Sequence, residues 1–186
     1  IVSLLCETDF VAKNEDFTTL LSKLADMALS DGIKKMKENA KDMIDSVIQK
    51  TGENIQLGEI YEVSGNVLGN YIHNNKIAII VSLEGGNAEL ARDVAMHIAA
   101  MKPEFISSSE ISNENRNLMI EIFQKEIASI EKPEEIKKKM LEGKISTYFK
   151  EKTLSDQAFI KDSSVTVGKL LENAKATIKE VKRYSI

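Results

Sequence analysis

Two helical apolar stripes in the first third of the chain constrain its fold most. The first stripe predicts a helix over residues 14–29, with Ser30-Asp31-Gly32 as its stop signal. The second stripe predicts another helix, which ends at Thr51-Gly52. Its apolar residues recur every three or four positions: Ile33, Met36, Ala40, Met43, Ile44, Val47 and Ile48. Because the connection is short, we expect a helical hairpin that packs over a sheet.

Three β-strands are predicted next, over residues 54–63, 66–73 and 76–84. The last of them is the most hydrophobic run in the chain. The connections Ser64-Gly65 and Asn74-Asn75 are short and contain residues that tolerate positive φ. We therefore expect both connections to be antiparallel hairpin turns.

The rest of the chain alternates between helical and strand patterns. Gly85-Gly86-Asn87 opens a predicted helix that Lys102-Pro103 closes, and residues 167–174 and 177–184 predict a final helix and strand. The order of strand, turn and helix in residues 1–28 recurs in residues 77–101, which indicates two related halves.

Residues 112–131 and 133–149 each carry a narrow apolar stripe and are separated by very few residues. They predict an antiparallel coiled-coil hairpin. The predicted fold is therefore α+β, with two related βα core subdomains, antiparallel strands and an inserted coiled-coil hairpin. We expect an N-subdomain over residues 1–64, a C-subdomain over 65–107 and 151–186, and the hairpin insertion over 108–150.

Charge, apolar content and cysteine count limit the kinds of partner and compartment that the chain suits. A net charge of −4 disfavours direct binding of nucleic acid, which needs a basic face, and favours a protein partner. The apolar runs fall far short of the roughly 20 residues that a membrane span needs, so no membrane association is expected. The single cysteine, Cys6, excludes an internal disulfide and fits a reducing compartment such as the cytoplasm. We expect Cys6 to be a small buried apolar residue.

The sequence contains no recognisable set of catalytic residues. It contains neither a glycine-rich phosphate loop nor a nucleophile elbow. Of its two histidines, His97 falls on an apolar helix face and is predicted to be a hydrogen-bonded core residue, whereas His73 is expected to be more exposed. We therefore expect no catalytic residues, no cofactor and no metal site, and a protein that is not an enzyme.

One turn stands out, Thr8-Asp9-Phe10-Val11, which lies between the first apolar run and the first helix. An aromatic ring and a carboxylate at such a turn can project from the fold and reach a partner. Spacing alone favours the opposite view of Phe10. It lies seven residues before Phe17 and continues the apolar stripe of the helix, which is typical of a core residue.

Several separated motifs together resemble one known family. They are Thr8-Asp9-Phe10-Val11, Gly52-Glu53-Asn54-Ile55, Gly69-Asn70-Tyr71, the run DVAMHIAAMKPEFI over residues 93–106, and Thr166-Val167-Gly168. In this order they are similar to bacterial elongation factor Ts, the nucleotide exchange factor of elongation factor Tu, and the resemblance covers essentially the whole chain.

The resemblance implies a function and a set of site residues. It implies that the chain promotes GDP release from elongation factor Tu and binds it in its GDP-bound and nucleotide-free states. Asp9 and Phe10 would enter the nucleotide-binding domain near its magnesium ion, so Phe10 would be exposed. The residues expected to bind the partner are Thr8, Asp9, Phe10, Val11, Gly52 and His73.

Alternatives remain open at this point. A structural coiled-coil scaffold without exchange activity would use the predicted hairpin but would leave the two βα halves unexplained. The sequence also leaves open whether the chain forms a homodimer. Since the chain opens inside a predicted strand, we expect it to be a fragment, and the resemblance implies a small helical domain ahead of Ile1.

Overall fold

The chain forms seven α-helices and seven β-strands in a computed structural model that describes residues 1–186. The α+β class with antiparallel sheets is confirmed. The chain divides into a first unit, Ile1–Val63 with the terminal Ile186, and a second unit, Ser64–Ser185. None of the helices combines the length and the apolarity that crossing a membrane requires.

The first unit consists of a helical pair and a small sheet. Its elements in chain order are β1 (Val2–Leu5), α1 (Asp9–Ala12), α2 (Glu15–Ser30), α3 (Ile33–Thr51) and β2 (Gln56–Ile60). The side chain of Asn14 accepts a hydrogen bond from the Asp16 amide and so starts α2. Gly52 ends α3 in the left-handed conformation, with φ of 74°. The predicted helical pair is confirmed, with ends close to the predicted ones.

The core of the first unit lies between α2, α3 and the sheet. Its buried side chains recur every three or four residues along both helices, as the stripes predicted. They are Phe17, Leu20 and Leu24 on α2, and Met36, Ala40, Ile44 and Val47 on α3, together with Leu4, Val11 and Ile55.

The strand pairing of the first unit differs from the prediction. β2 pairs antiparallel with β1 and is shorter than predicted, so Ser64-Gly65 is not a hairpin turn. Leu57 and Ile60 of β2 pack against the core of the first unit, which fixes that pairing. Ser64 opens the second unit, where its carbonyl accepts a hydrogen bond from the Ser82 hydroxyl. Turn-forming residues mark where the chain bends, but they do not determine which strand it pairs with next.

The second unit is built on a three-stranded antiparallel sheet with the order β3-β4-β7. The strands and the helix packed on them are β3 (Val67–His73), β4 (Ile77–Glu84), α4 (Ala88–Met101) and β7 (Thr177–Ser185). Asn74 and Asn75 both have positive φ, at 51° and 56°, and connect β3 to β4. The hairpin predicted there is confirmed. α4 lies so close to β3 that a Cβ at Gly69 would overlap the backbone of Ala91 and Arg92.

A short hairpin that the sequence analysis missed completes this core. Its elements are β5 (Ala158–Phe159) and β6 (Asp162–Thr166), which lead into α7 (Val167–Asn173). Phe159 and Val167 are buried with Ile79, Val81 and Leu83 of β4. β5 has only two residues, too few for an alternating pattern, and β6 begins with three exposed polar residues that give no apolar alternation.

Two long helices, α5 (Asn113–Ala128) and α6 (Glu134–Lys152), pack against each other as an arm of the second unit. The last residue of α5 meets the first turn of α6, since Lys137 Nζ lies 3.4 Å from the Ala128 carbonyl oxygen. The Arg116 guanidinium near the start of α5 lies 5.4 Å from the centre of the Phe149 ring near the end of α6. The helices therefore run antiparallel. The assignment of residues 108–150 to a separate domain remains a prediction.

His97 joins α4 to the segment that follows the arm. It is fully buried, as predicted, and its Nε2 lies 2.9 Å from Gln157 Oε1. The Gln157 amide NH₂ donates to the Glu151 carbonyl at 2.6 Å, which leaves Oε1 facing the imidazole. The Ile160 amide donates to His97 Nδ1 at 3.2 Å. The ring is therefore neutral, with its proton on Nε2.

This buried imidazole predicts a pH dependence of stability. Burial lowers the pKa of His97 below its usual 6.5, and the hydrogen bond to Gln157 opposes that shift. The unfolded chain then binds the proton more readily than the folded chain. We expect the His97 contribution to the free energy of unfolding to be full above pH 6.5 and to decline as the pH falls toward the lowered pKa.

Urea unfolding at about pH 7.5 and about pH 5.5 measures this effect. His97→Gln removes the titrating group but keeps a hydrogen-bonding side chain, so its stability should change less between the two pH values. Equal changes in the two proteins would show that His97 does not titrate in this way.

Candidate functional site

The turn after β1 is organised around Thr8. Thr8 caps α1, because its hydroxyl accepts a hydrogen bond from the Val11 amide at 3.3 Å. Its carbonyl accepts from the Ala12 amide at 3.1 Å. α1 is a single short turn of helix, and these bonds close it immediately after the strand.

This short helix places its neighbouring side chains on opposite sides. Val11 is buried in the core of the first unit, with 8% of its surface exposed. Asp9 is exposed, and Phe10 is 89% exposed although it is a large apolar residue. A ring that is almost fully in water gains nothing from the hydrophobic effect in the isolated chain. The turn therefore presents an aromatic ring beside a carboxylate at the surface.

The spacing argument that placed Phe10 in the core is wrong. The argument assumes that one helical face runs from Phe10 to Phe17. Instead α1 ends at Ala12, and α2 begins as a separate helix with its own cap at Asn14. The spacing between Phe10 and Phe17 therefore does not place them on one helical face. Val11 takes the core position that the spacing assigned to Phe10.

Glu53 is a member of the site that sequence reasoning missed. Its Oε2 accepts from the Thr8 amide at 3.1 Å, and its Oε1 accepts from the Thr8 hydroxyl at 2.6 Å. Gly52, which the sequence analysis selected, is exposed and has open space around it. The motif Gly52-Glu53-Asn54-Ile55 was visible in the sequence, but nothing in it indicates that Glu53 reaches a residue 45 positions earlier.

Cys6 lies under the same turn. Its thiol donates to the Thr8 carbonyl, with Sγ and O 3.3 Å apart. It is half-buried and packs against the core of the first unit, so the expected buried position is only partly reached. Burial raises the pKa of the Cys6 thiol, and the neighbouring Glu53 carboxylate raises it further. The protonated thiol is therefore favoured, as its role of hydrogen-bond donor requires.

His73 lies at the end of β3 in the second unit and is exposed, as predicted. The Tyr71 hydroxyl is 3.2 Å from His73 Nδ1, and the two rings stack with centres 6.1 Å apart. Asn74 Nδ2 lies 3.2 Å from His73 Nε2. The imidazole is thus held between two neighbours. Ile72, whose side chain alternates to the other face of β3, is 63% exposed.

The structure brings five of the six predicted partner-binding residues to one place. Thr8, Asp9, Phe10 and Val11 form the turn, and Gly52 is adjacent to it through Glu53. His73 belongs to the second unit. A rigidly supported turn with an exposed ring and a carboxylate suits the recognition of another protein.

Comparison with known proteins gives consistent matches along the chain. A family model described as Elongation factor TS matches residues 7–186. The elongation factor Ts of Hahella chejuensis is 38% identical over 191 residues, covering 100% of this chain and 67% of the relative. The elongation factors Ts of Thioalkalivibrio sulfidiphilus and Alkalilimnicola ehrlichii are 39% and 37% identical, and the matches cover 100% of this chain and 68% of each relative. The chain thus spans about two thirds of the length of these relatives.

Proposed function

This chain belongs to the elongation factor Ts family, and from that premise we propose that it is a guanine nucleotide exchange factor for elongation factor Tu. The observation that carries the proposal is Phe10, which is 89% exposed on a turn whose backbone amides before and after it, at Thr8 and Val11, are both hydrogen-bonded. An exchange factor works by binding and not by making bonds, so it needs a presented surface and no catalytic group.

In this proposal Phe10 and Asp9 enter the nucleotide-binding domain of the GTPase near its magnesium ion. A large rigid ring loses little conformational entropy on insertion and can keep a displaced element of the partner away. The Asp9 carboxylate competes for hydrogen-bond donors and positive charge around the ion. Val11 is buried and Thr8 is hydrogen-bonded to Glu53, so these two residues shape the turn.

The exchange itself follows from linkage. A partner that prefers the nucleotide-free GTPase weakens GDP binding, and GDP weakens that partner by the same factor. Release accelerates because the ternary complex of GTPase, GDP and exchange factor opens a route with a lower barrier. One copy of the chain per GTPase is sufficient for this scheme, so a homodimer is not part of it.

We assign His73 the role of a second contact that anchors the chain to another part of the partner. Its imidazole is held by Tyr71 and Asn74. Tyr71, which stacks on the imidazole, is a residue type that is enriched among those that dominate interface energies. Since translation elongation takes place in the cytoplasm, that is also the proposed location of this protein.

A scaffold function is the competing candidate, and the arm is the observation that favours it. Leu118 and Ile122 are exposed one helical turn apart on α5 and could pair with another helix. A scaffold of this kind would assemble with itself in the absence of any GTPase.

Gel filtration separates the two candidates. The exchange proposal predicts that the chain co-elutes with nucleotide-free elongation factor Tu and that excess GDP dissociates the complex. Self-assembly of the chain, with no shift on addition of the GTPase, would support the scaffold and contradict the exchange proposal.

A further inference from the structure

We propose that Glu53 is a positioning residue of the exchange site. Its carboxylate holds the Thr8 turn so that Phe10 is presented to the partner in one orientation. The inference rests on the proposed exchange function and deepens it, because it identifies what makes the exposed ring an effective wedge.

Both oxygens of the carboxylate are used. Oε1 accepts from the Thr8 hydroxyl at 2.6 Å, and Oε2 accepts from the Thr8 amide at 3.1 Å. A bidentate contact to an ionised group fixes direction as well as distance. It holds Thr8 by both its backbone and its side chain, immediately before Asp9 and Phe10.

Glu53 is itself firmly placed. The left-handed conformation of Gly52 turns the chain out of α3, and the Gly52 amide donates to the Ile48 carbonyl at 2.8 Å. Ile55, two residues beyond Glu53, is buried in the core of the first unit. Glu53 therefore lies between two firmly held parts of the chain. The end of a five-turn helix precedes it, and a buried core residue follows it.

The turn needs such support. α1 has only four residues, and an isolated helix of that length is not stable in water. The Phe10 ring is 89% exposed, so core packing does not hold it in place. Without the clamp, the ring would sample other orientations, including ones that lie back on the protein surface. A wedge that has to be reordered on binding acts more slowly than one that is preorganised.

The first experiment measures the ring in the free chain. The chain contains four tyrosines but no tryptophan, so Phe10→Trp introduces a single tryptophan at the site, which can be excited selectively. Time-resolved anisotropy is compared with and without Glu53→Gln, whose amide NH₂ cannot accept a hydrogen bond from Thr8. We expect a larger fast component of depolarisation with Glu53→Gln. Glu59→Gln removes a charge from an exposed residue of the same unit and should leave the decay unchanged.

The second experiment measures exchange with the natural Phe10 in place. Glu53→Gln should lower the rate of GDP release at saturating chain concentration on the order of tenfold, as expected for loss of a hydrogen bond to a charged group. The concentration that gives half the maximal rate should change much less. Glu59→Gln, the matched loss of charge at an exposed residue outside the turn, should retain the rate. Thr8→Val should lower it, and combining Thr8→Val with Glu53→Gln should add little to either change.

The two measurements on Glu53→Gln together test the inference. The inference is supported if Glu53→Gln both increases the fast depolarisation of the ring and lowers the saturated rate of GDP release. It is overturned if the depolarisation does not change. It is also overturned if the depolarisation increases while the saturated rate stays the same. If the natural chain does not accelerate GDP release at all, the exchange proposal fails. The anisotropy alone then shows whether Glu53 holds the turn, since it needs no partner.

Discussion

Phe10→Ala should lower the maximal rate of GDP release from elongation factor Tu about thirtyfold or more, equivalent to roughly 2 kcal/mol for an aromatic hot spot. The reason is that the ring is the part of the turn that we propose enters the partner. Because it is 89% exposed in the free chain, its removal creates no cavity. The free energy of unfolding should therefore change by no more than about 0.5 kcal/mol.

Phe17→Ala is the matched control in the same unit. Phe17 is 4% exposed in the core, so its truncation should cost about 3–5 kcal/mol of stability. Denaturant unfolding and saturated exchange kinetics on both variants test the contrast. If Phe10→Ala destabilises the fold as much as Phe17→Ala does, Phe10 is a core residue and the wedge mechanism is wrong.

His73→Ala should weaken binding to elongation factor Tu by about 1–3 kcal/mol, the range for losing a good interface residue. The saturated exchange rate should stay close to that of the natural chain, since His73 is proposed to anchor and not to insert. Asn70→Ala is a suitable control because Asn70 is exposed on β3 and alternates to the other face of the sheet from His73. Titration of the exchange rate against chain concentration separates affinity from maximal rate.

Two outcomes would contradict this division of roles. One is that Phe10→Ala and His73→Ala both change only the affinity. The other is that His73→Ala alone abolishes the saturated rate.

The helices of the first unit could be predicted from the sequence because their ends carry explicit chemical signals. Asn14 supplies a side-chain cap at the start of α2, and Gly52 adopts the left-handed conformation that ends α3. The same holds for the hairpin at Asn74 and Asn75, whose positive φ values match what asparagine tolerates. These are local properties, set by residues within a few positions of each other.

The features that the sequence did not predict depend on contacts between distant residues. The pairing of β2 with β1 is decided by Leu57 and Ile60 joining the first core, which a turn signal at Ser64 does not reveal. Glu53 reaches Thr8 across 45 positions through the fold. The exposure of Phe10 follows from a break between two helices, so the family resemblance indicated it whereas periodicity did not.

Stopped-flow release of fluorescent GDP from elongation factor Tu, with unlabelled GDP in excess, tests the central claim most directly. If the chain is an exchange factor, the release rate should rise with chain concentration and reach a plateau well above the spontaneous rate. A release rate that stays at the spontaneous value at every chain concentration would contradict the account.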